Sequence, residues 1–168
     1  INHPGVSGLV DCGIWNDKFP FIVMQYREGR TLRNVIETQP LSQTKALWIV
    51  RGIAAVLDAS HRQGVLHLDV KPENIILDGS EELPFVSVVD FGIARCHDSQ
   101  EDGISGGTPA YWPPEQLLGN VVPSSDVFAL ARVAEELVPR PSMGVRRVID
   151  QGLAARPADR PRTAGEFS

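Results

Sequence analysis

The chain has 168 residues, 42% of them hydrophobic and 22% charged, with a formal net charge of −5. It is long enough to bury one core, and its composition is that of an ordinary globular domain. The acidic balance argues against a nucleic-acid binder, which carries a basic stripe, and no run approaches the roughly 20 apolar residues of a membrane span.

Along the chain, Phe19–Tyr26 (FPFIVMQY) is a nearly continuous apolar run and predicts a buried strand, with a turn over Arg27–Arg30 around Gly29. Pro40, Leu41 and Ser42 mark a helix start, with Ser42 as N-cap. Apolar residues at helical spacing (Leu47, Val50, Ile53, Ala54, Leu57) carry that helix to a stop at Gly64, about five to six turns. Val65–Leu66 then leads into His67-Leu-Asp69. Two short strands follow, Ile75–Leu77 and Phe85–Val89, joined through Asp78–Gly79 and the acidic pair Glu81–Glu82. Residues 93–112 have no period and hold Gly103, Gly106, Gly107 and Pro109, the mark of a long functional loop. Helical patterning resumes at Pro114–Leu118, runs from about Ser124 to Leu137, and returns over Val145–Leu153 before a Pro- and Arg-rich tail. A few strands followed mostly by helices predict an α+β fold. Cys12 and Cys96 lie far apart with no CxxC pair, so neither a disulfide nor a zinc site is expected; both are read as free, mostly buried thiols of a reducing cytosol.

The chemistry concentrates in His67-Leu-Asp69-Val-Lys71-Pro-Glu-Asn74 and Asp90-Phe91-Gly92. Phosphoryl transfer needs metal ions on the phosphates, a cation on the transferring group and an oriented nucleophile. Asp69, Asn74 and Asp90 offer hard oxygen donors or a proton acceptor suited to Mg²⁺, and Lys71 a positive charge for the γ-phosphate. Singly, each has a bland reading: a turn after a strand, a core histidine, surface polar residues. Their order and spacing at predicted strand ends make coincidence an improbable account.

These motifs resemble the protein kinase family, and the resemblance covers most of the chain. It implies a kinase-like fold divided as 1–24 (end of the small lobe), 25–30 (hinge) and 31–168 (large lobe). It implies that Asp69 orients the substrate hydroxyl and accepts its proton, that Lys71 contacts the γ-phosphate, and that Asn74 and Asp90 bind Mg²⁺. Lysine at position 71 matches the serine/threonine kinases. Gly107-Thr108-Pro-Ala-Tyr-Trp-Pro-Pro-Glu115 resembles the end of an activation segment, with Thr108 bracing Asp69 and Lys71. Glu115 would pair with Arg160, and Asp126 would bond the backbone of the catalytic loop. Together with His67, Phe91 and Gly92, these residues are expected to support the site rather than react. Met24 matches the gatekeeper, Gln25, Tyr26 and Arg27 the adenine-binding hinge, and Ile76 the floor beneath adenine. The ligands implied are ATP, Mg²⁺ and a protein bearing Ser or Thr; no nucleic acid is expected. A cytoplasmic location is implied, with a parent protein that is in some relatives membrane-anchored.

The sequence also departs from the family. No glycine-rich loop, strand lysine or helix glutamate is present, and His3-Pro4 resembles the segment just after that helix. The chain is therefore expected to be a piece of a longer protein with little phosphotransfer activity alone. Leu68 stands where regulated kinases have the arginine that receives a loop phosphate. Ser99 and Ser105 would find no partner there, with Asp98, Glu101 and Asp102 close in sequence, so activity is expected not to depend on loop phosphorylation. Pro139–Gly144 is short where the family places another helix. The overall pattern looks like bacterial kinases of the eukaryotic type. Two other readings share the fold: a pseudokinase that binds without transferring, and a small-molecule phosphotransferase.

Overall fold

In the computed structural model, which describes residues 1–91, 95–96 and 109–168, a β-hairpin leads into a mostly helical body. Strand β1 (Leu9–Trp15) pairs antiparallel with β2 (Phe19–Met24) through the register Ile14↔Pro20 and Cys12↔Ile22. Gly29, at φ +126°, then turns the chain into the short β3 (Arg30–Thr31); a side chain there would run into the Leu77 carbonyl. Helix α1 (Leu32–Thr38) follows at once, capped by Thr31, whose hydroxyl accepts the Asn34 N–H at 3.2 Å. The sequence reading left this helix unassigned, because seven residues are too few to establish a period.

Helix α2 (Gln43–His61) is the central element of the body. Ser42 caps it by accepting the Lys45 N–H at 3.2 Å, and Gly64, at φ +74°, follows its end. Ala46, Ile49, Val50, Ile53, Ala54, Val56 and Leu57 form its buried face. That face packs against β6 (Phe85–Val88), α3 (Pro123–Leu137) and α5 (Ala164–Phe167). Gly52 permits the approach to β6: a Cβ there would lie 2.6 Å from Val86 Cγ2. Strand β4 (Val65–Leu66) pairs with β7 (Arg95–Cys96), while β5 (Ile75–Asp78) forms the middle of an antiparallel sheet ordered β3-β5-β6. Helix α3 begins on Pro123, with Ser125 Oγ accepting the Val122 N–H at 3.1 Å. The link to α4 (Met143–Gly152) is only residues 138–142, with Ser142 as its N-cap.

Three expectations are corrected. Every residue of β2 is exposed, although its run of apolar side chains reads as a buried strand. The strand has one partner, β1, and among the described residues no second layer closes over the hairpin. Periodicity reports the burial a strand is suited to, not whether a cover is present. Cys12 lies on this hairpin and is exposed, not buried. Pro114–Leu118 forms a 3₁₀ turn rather than an α-helix, ended by Gly119 at φ +75°. The expectations resting on Gly92, Ser99, Ser105 and Thr108 lie outside the described residues.

Candidate active site

Asp69, Lys71 and Asn74 share the loop between β4 and β5. Lys71 Nζ lies 2.6 Å from Asp69 Oδ2. The Asn74 amide donates from Nδ2 to the Asp69 carbonyl at 2.9 Å and to Asp69 Oδ2 at 3.0 Å. Pro72–Asn74 is a single 3₁₀ turn, which brings residues 69 and 74 back upon each other. Asp69 is thus buried to 7% exposure, with the Lys71 ammonium and the Asn74 amide among its partners.

The loop hangs from α3. Asp126 is fully buried; its Oδ2 accepts the His67 N–H at 2.8 Å and its Oδ1 the Leu68 N–H at 2.8 Å. His61 Nε2, from the last turn of α2, lies 2.7 Å from Asp126 Oδ2. Burial alone would raise the Asp126 carboxyl, but the hydrogen bond from His61 and the neighbouring donors hold it below the ordinary carboxylate value. Between them Leu68 adopts φ +64°, an unusual conformation for a leucine. It is held on both sides, because Gln116 Nε2 donates to the Leu68 carbonyl at 2.8 Å. The Leu68 side chain is 2% exposed, so position 68 contributes to the core and presents no charge to the neighbouring loop.

His67 connects this loop to the next strand end. Burial drives its pKa down, leaving the ring neutral. Its Nδ1 accepts the Asp69 N–H at 3.2 Å, so Nε2 carries the proton toward the Val89 carbonyl at 3.2 Å. The ring also packs on Phe91, with centroids 4.4 Å apart. Val89 N–H donates to the Asn74 carbonyl at 2.9 Å, which sets Asp90 beside the Asn74 turn. Asp90 itself has φ +63°, a conformation aspartate tolerates better than most residues.

Asp90 and Phe91 form one wall of a cavity of about 560 Å³, and the hairpin supplies the facing side through Leu9, Pro20, Ile22 and Met24. An apolar slot with a carboxylate at one end suits a flat, partly apolar ligand carrying a metal-bound polyanion. Gln25, Tyr26, Arg27 and Ile76 do not line that cavity. Gln25 N–H bonds the Gly8 carbonyl at 2.8 Å, Tyr26 is exposed, Ile76 is half-buried in β5, and the Arg27 guanidinium bonds the Val6 carbonyl. Among the described residues no group of three or more His, Cys, Asp or Glu is placed to hold a metal unaided. The donor set still fits Mg²⁺: Asn74 has its Nδ2 committed to Asp69, which turns its Oδ1 into the cation donor, and Asp90 adds a carboxylate. Mg²⁺ commonly binds through one or two such groups and completes its shell with water and phosphate oxygens.

Further support comes from Glu115 and Arg160. Their pairing is bidentate, NH1 to Oε1 at 2.6 Å and NH2 to Oε2 at 2.9 Å. Ser125 donates to Glu115 Oε1 at 2.8 Å, and Arg160 also reaches the carbonyls of Ser124, Ala154 and Ala155. Burial would raise the Glu115 carboxyl, but the Arg160 and Ser125 hydrogen bonds hold it low. Sequence reading missed His61, Gln116 and Arg33, whose contacts join residues 40 to 103 positions apart. No local motif marks such partners.

Comparison with known proteins identifies the family. The family model described as protein kinase domain matches residues 1–151. The chain is 31% identical to serine/threonine-protein kinase pkn3 of Myxococcus xanthus, over 99% of this chain and 38% of that protein. It is 33% identical to serine/threonine-protein kinase PknD of Mycobacterium tuberculosis, over all of this chain and 30% of that protein. It is 35% identical to serine/threonine-protein kinase PknB of Mycolicibacterium smegmatis, over 82% and 23%. The chain therefore spans less than two-fifths of the length of these relatives. With a mixed α+β body, the HxDxKxxN loop and a match over most of its length, the chain belongs to the protein kinase domain family and resembles its bacterial serine/threonine members.

Proposed function

We propose that this chain is the phosphotransfer part of a serine/threonine protein kinase, moving the γ-phosphoryl group of ATP to a protein hydroxyl. The observation that carries the reading is the Lys71–Asp69–Asn74 cluster, closed within 3.0 Å and suspended from a buried carboxylate. In the reaction, the substrate oxygen attacks the γ-phosphorus, the bond to the bridging oxygen of ADP breaks, and Asp69 takes the hydroxyl proton. Lys71 both orients the Asp69 carboxylate and places a positive charge where the γ-phosphate arrives. Asn74 and Asp90 would hold Mg²⁺, which when bound neutralises charge on the phosphates. The cavity beside Asp90 would receive the nucleotide, with Met24 in its wall, whereas Gln25, Tyr26, Arg27 and Ile76, expected at the adenine, lie outside that wall. Residues 1–24, 25–30 and 31–168 then correspond to small-lobe, hinge and large-lobe portions.

Among the described residues no helix is long and apolar enough to cross a membrane. The activity places this part of the protein where ATP is available, which favours the cytoplasm. The test uses the protein as its gene encodes it. Phosphotransfer to a Ser/Thr peptide is measured for the wild type, Asp69→Asn and Asp90→Asn. A loss of about 10²–10⁴-fold in Asp69→Asn, with ATP binding retained, is expected for a positioned general base. Asp90→Asn should lose Mg²⁺-dependent ATP binding. Unchanged rates in Asp69→Asn would remove it from this role, and nucleotide binding without any transfer in the wild type would establish a binding module instead.

A further inference from the structure

Arg33 lies in the first turn of α1, and its guanidinium reaches three other elements. Nε donates to Glu73 Oε1 at 2.8 Å, in the turn between Lys71 and Asn74. NH1 bonds Glu136 Oε1, near the end of α3. NH2 donates to the Tyr111 hydroxyl at 2.8 Å, and that hydroxyl in turn donates to Glu136 Oε2 at 2.9 Å. One planar fork thus serves two carboxylates and a phenol, a pattern a single ammonium cannot reproduce. The Arg33 side chain is half-buried at 26% exposure, as is Glu136, whereas Glu73 is exposed. Burial and the bond to Glu136 push the Tyr111 phenol up to about 12, so it stays a donor.

Position gives the cluster its meaning. Tyr111 closes the turn Pro109–Tyr111, which directly follows Thr108 in the sequence. Among the described residues, the other side-chain tie on that turn is Arg132 Nε to the Ala110 carbonyl, a long 3.3 Å contact from an exposed residue. Glu73 belongs to the same 3₁₀ turn as Asn74, so any displacement of Glu73 is felt at Asn74 and, through its amide, at Asp69.

We propose that Arg33 is a positioning residue that ties the turn at Tyr111, which on the kinase reading ends the segment that receives the protein substrate, to the Asp69–Asn74 loop. The tie is made by a fixed side chain and needs no covalent modification of the loop. It rests on the kinase reading above. Because it acts on the loop that meets the protein substrate and not on the cavity beside Asp90, it governs peptide binding rather than nucleotide binding.

The experiment is a kinetic comparison of wild type, Arg33→Ala, Arg33→Lys, Tyr111→Phe and the Arg33→Ala/Tyr111→Phe double variant, in the full-length protein. The probe is the best-phosphorylated member of a synthetic Thr-peptide library. Arg33→Ala should raise the peptide KM about tenfold, the scale of losing charge-assisted hydrogen bonds, and leave the KM for ATP within about twofold. Tyr111→Phe should move the peptide KM in the same direction, and the double variant should resemble Arg33→Ala alone. Arg33→Lys, which keeps the charge and loses the fork, should fall between. An unchanged peptide KM, additive effects in the double variant, or an equal rise in the KM for ATP would overturn the inference. A wild type without any phosphotransfer would count against the kinase reading alone. In that case amide hydrogen exchange at Ala110–Trp112 decides: it should be faster in Arg33→Ala and Arg33→Lys, and equal exchange would overturn the tie.

Discussion

Replacing Asp126 by asparagine preserves shape and removes the acceptor from which the Asp69 loop is suspended. Both carboxylate oxygens are occupied, Oδ1 by the Leu68 N–H at 2.8 Å and Oδ2 by the His67 N–H at 2.8 Å. Asparagine can keep one of these bonds, as a neutral one, and turns an NH₂ group toward the other backbone N–H. One charge-assisted bond of about 1.5–3 kcal/mol is lost, and a buried donor is stranded at a further cost of about 1–3 kcal/mol. The expected destabilisation is about 3–5 kcal/mol, in line with breaking other buried polar networks. For a chain of this length each kcal/mol moves the melting temperature by about 2–4 °C, so thermal unfolding followed by circular dichroism should shift down by about 6–20 °C. The damage is also local. The φ of +64° at Leu68 is unfavourable for a leucine by roughly 1–2 kcal/mol and persists because Asp126 and Gln116 grip its two sides. Once released, Leu68 relaxes and carries Asp69 with it, so phosphotransfer measured well below the melting temperature should fall as well. A melting temperature within about 2 °C of wild type, together with normal turnover, would refute this account of how the loop is held.

Arg160→Lys should destabilise the fold by about 3–5 kcal/mol, because a lysine cannot satisfy Glu115 bidentately and also bond three carbonyls; denaturant midpoints measure it, and a near-neutral result would contradict the assignment. His67 has its pKa held down by burial, so the unfolded chain takes up its proton first. Stability should therefore be full above about pH 6.5 and decline as the pH falls below it, by up to about 1.4 kcal/mol per pH unit; a flat profile between about pH 7.5 and 5.5 would refute this. Asp126 and Glu115 have depressed values, so their contribution is present above about pH 4.5 and is lost on further acidification. The Ser99→Ala/Ser105→Ala double variant should retain phosphotransfer, because position 68 carries a buried leucine and offers no cation to a loop phosphate; loss of activity would contradict it.

What could be read from the sequence is what local pattern encodes. Ser42, the apolar spacing from Leu47 to Leu57 and Gly64 bracket α2 closely, and Asp78–Gly79 sits at the turn between β5 and β6. The clustering of Asp69, Lys71 and Asn74 follows from a spacing that a single 3₁₀ turn closes. The exposure of β2 was not legible, because it depends on what covers the hairpin and not on the strand itself. Nor were the roles of Gln116, His61 and Arg33 legible. A glutamine beside Glu115, a histidine at a helix end and an arginine in a seven-residue helix look like solvated surface groups until folding brings Leu68, Asp126 and Glu73 to them.

The Glu115–Arg160 pair also sets an order of events during synthesis. Forty-five residues separate the two, so at typical translation rates the arginine is added about 2–9 s after the glutamate. Throughout that interval a carboxylate destined for the interior has no counter-ion. The turn at Pro114–Leu118 and the start of α3, which closes around Ser125, cannot be sealed without burying an uncompensated charge. The nascent chain is thereby kept open on this side until Arg160 has been made. Slow codons between the two positions would lengthen the exposure of the apolar face of α3 to chaperones, whereas those placed before Glu115 would not.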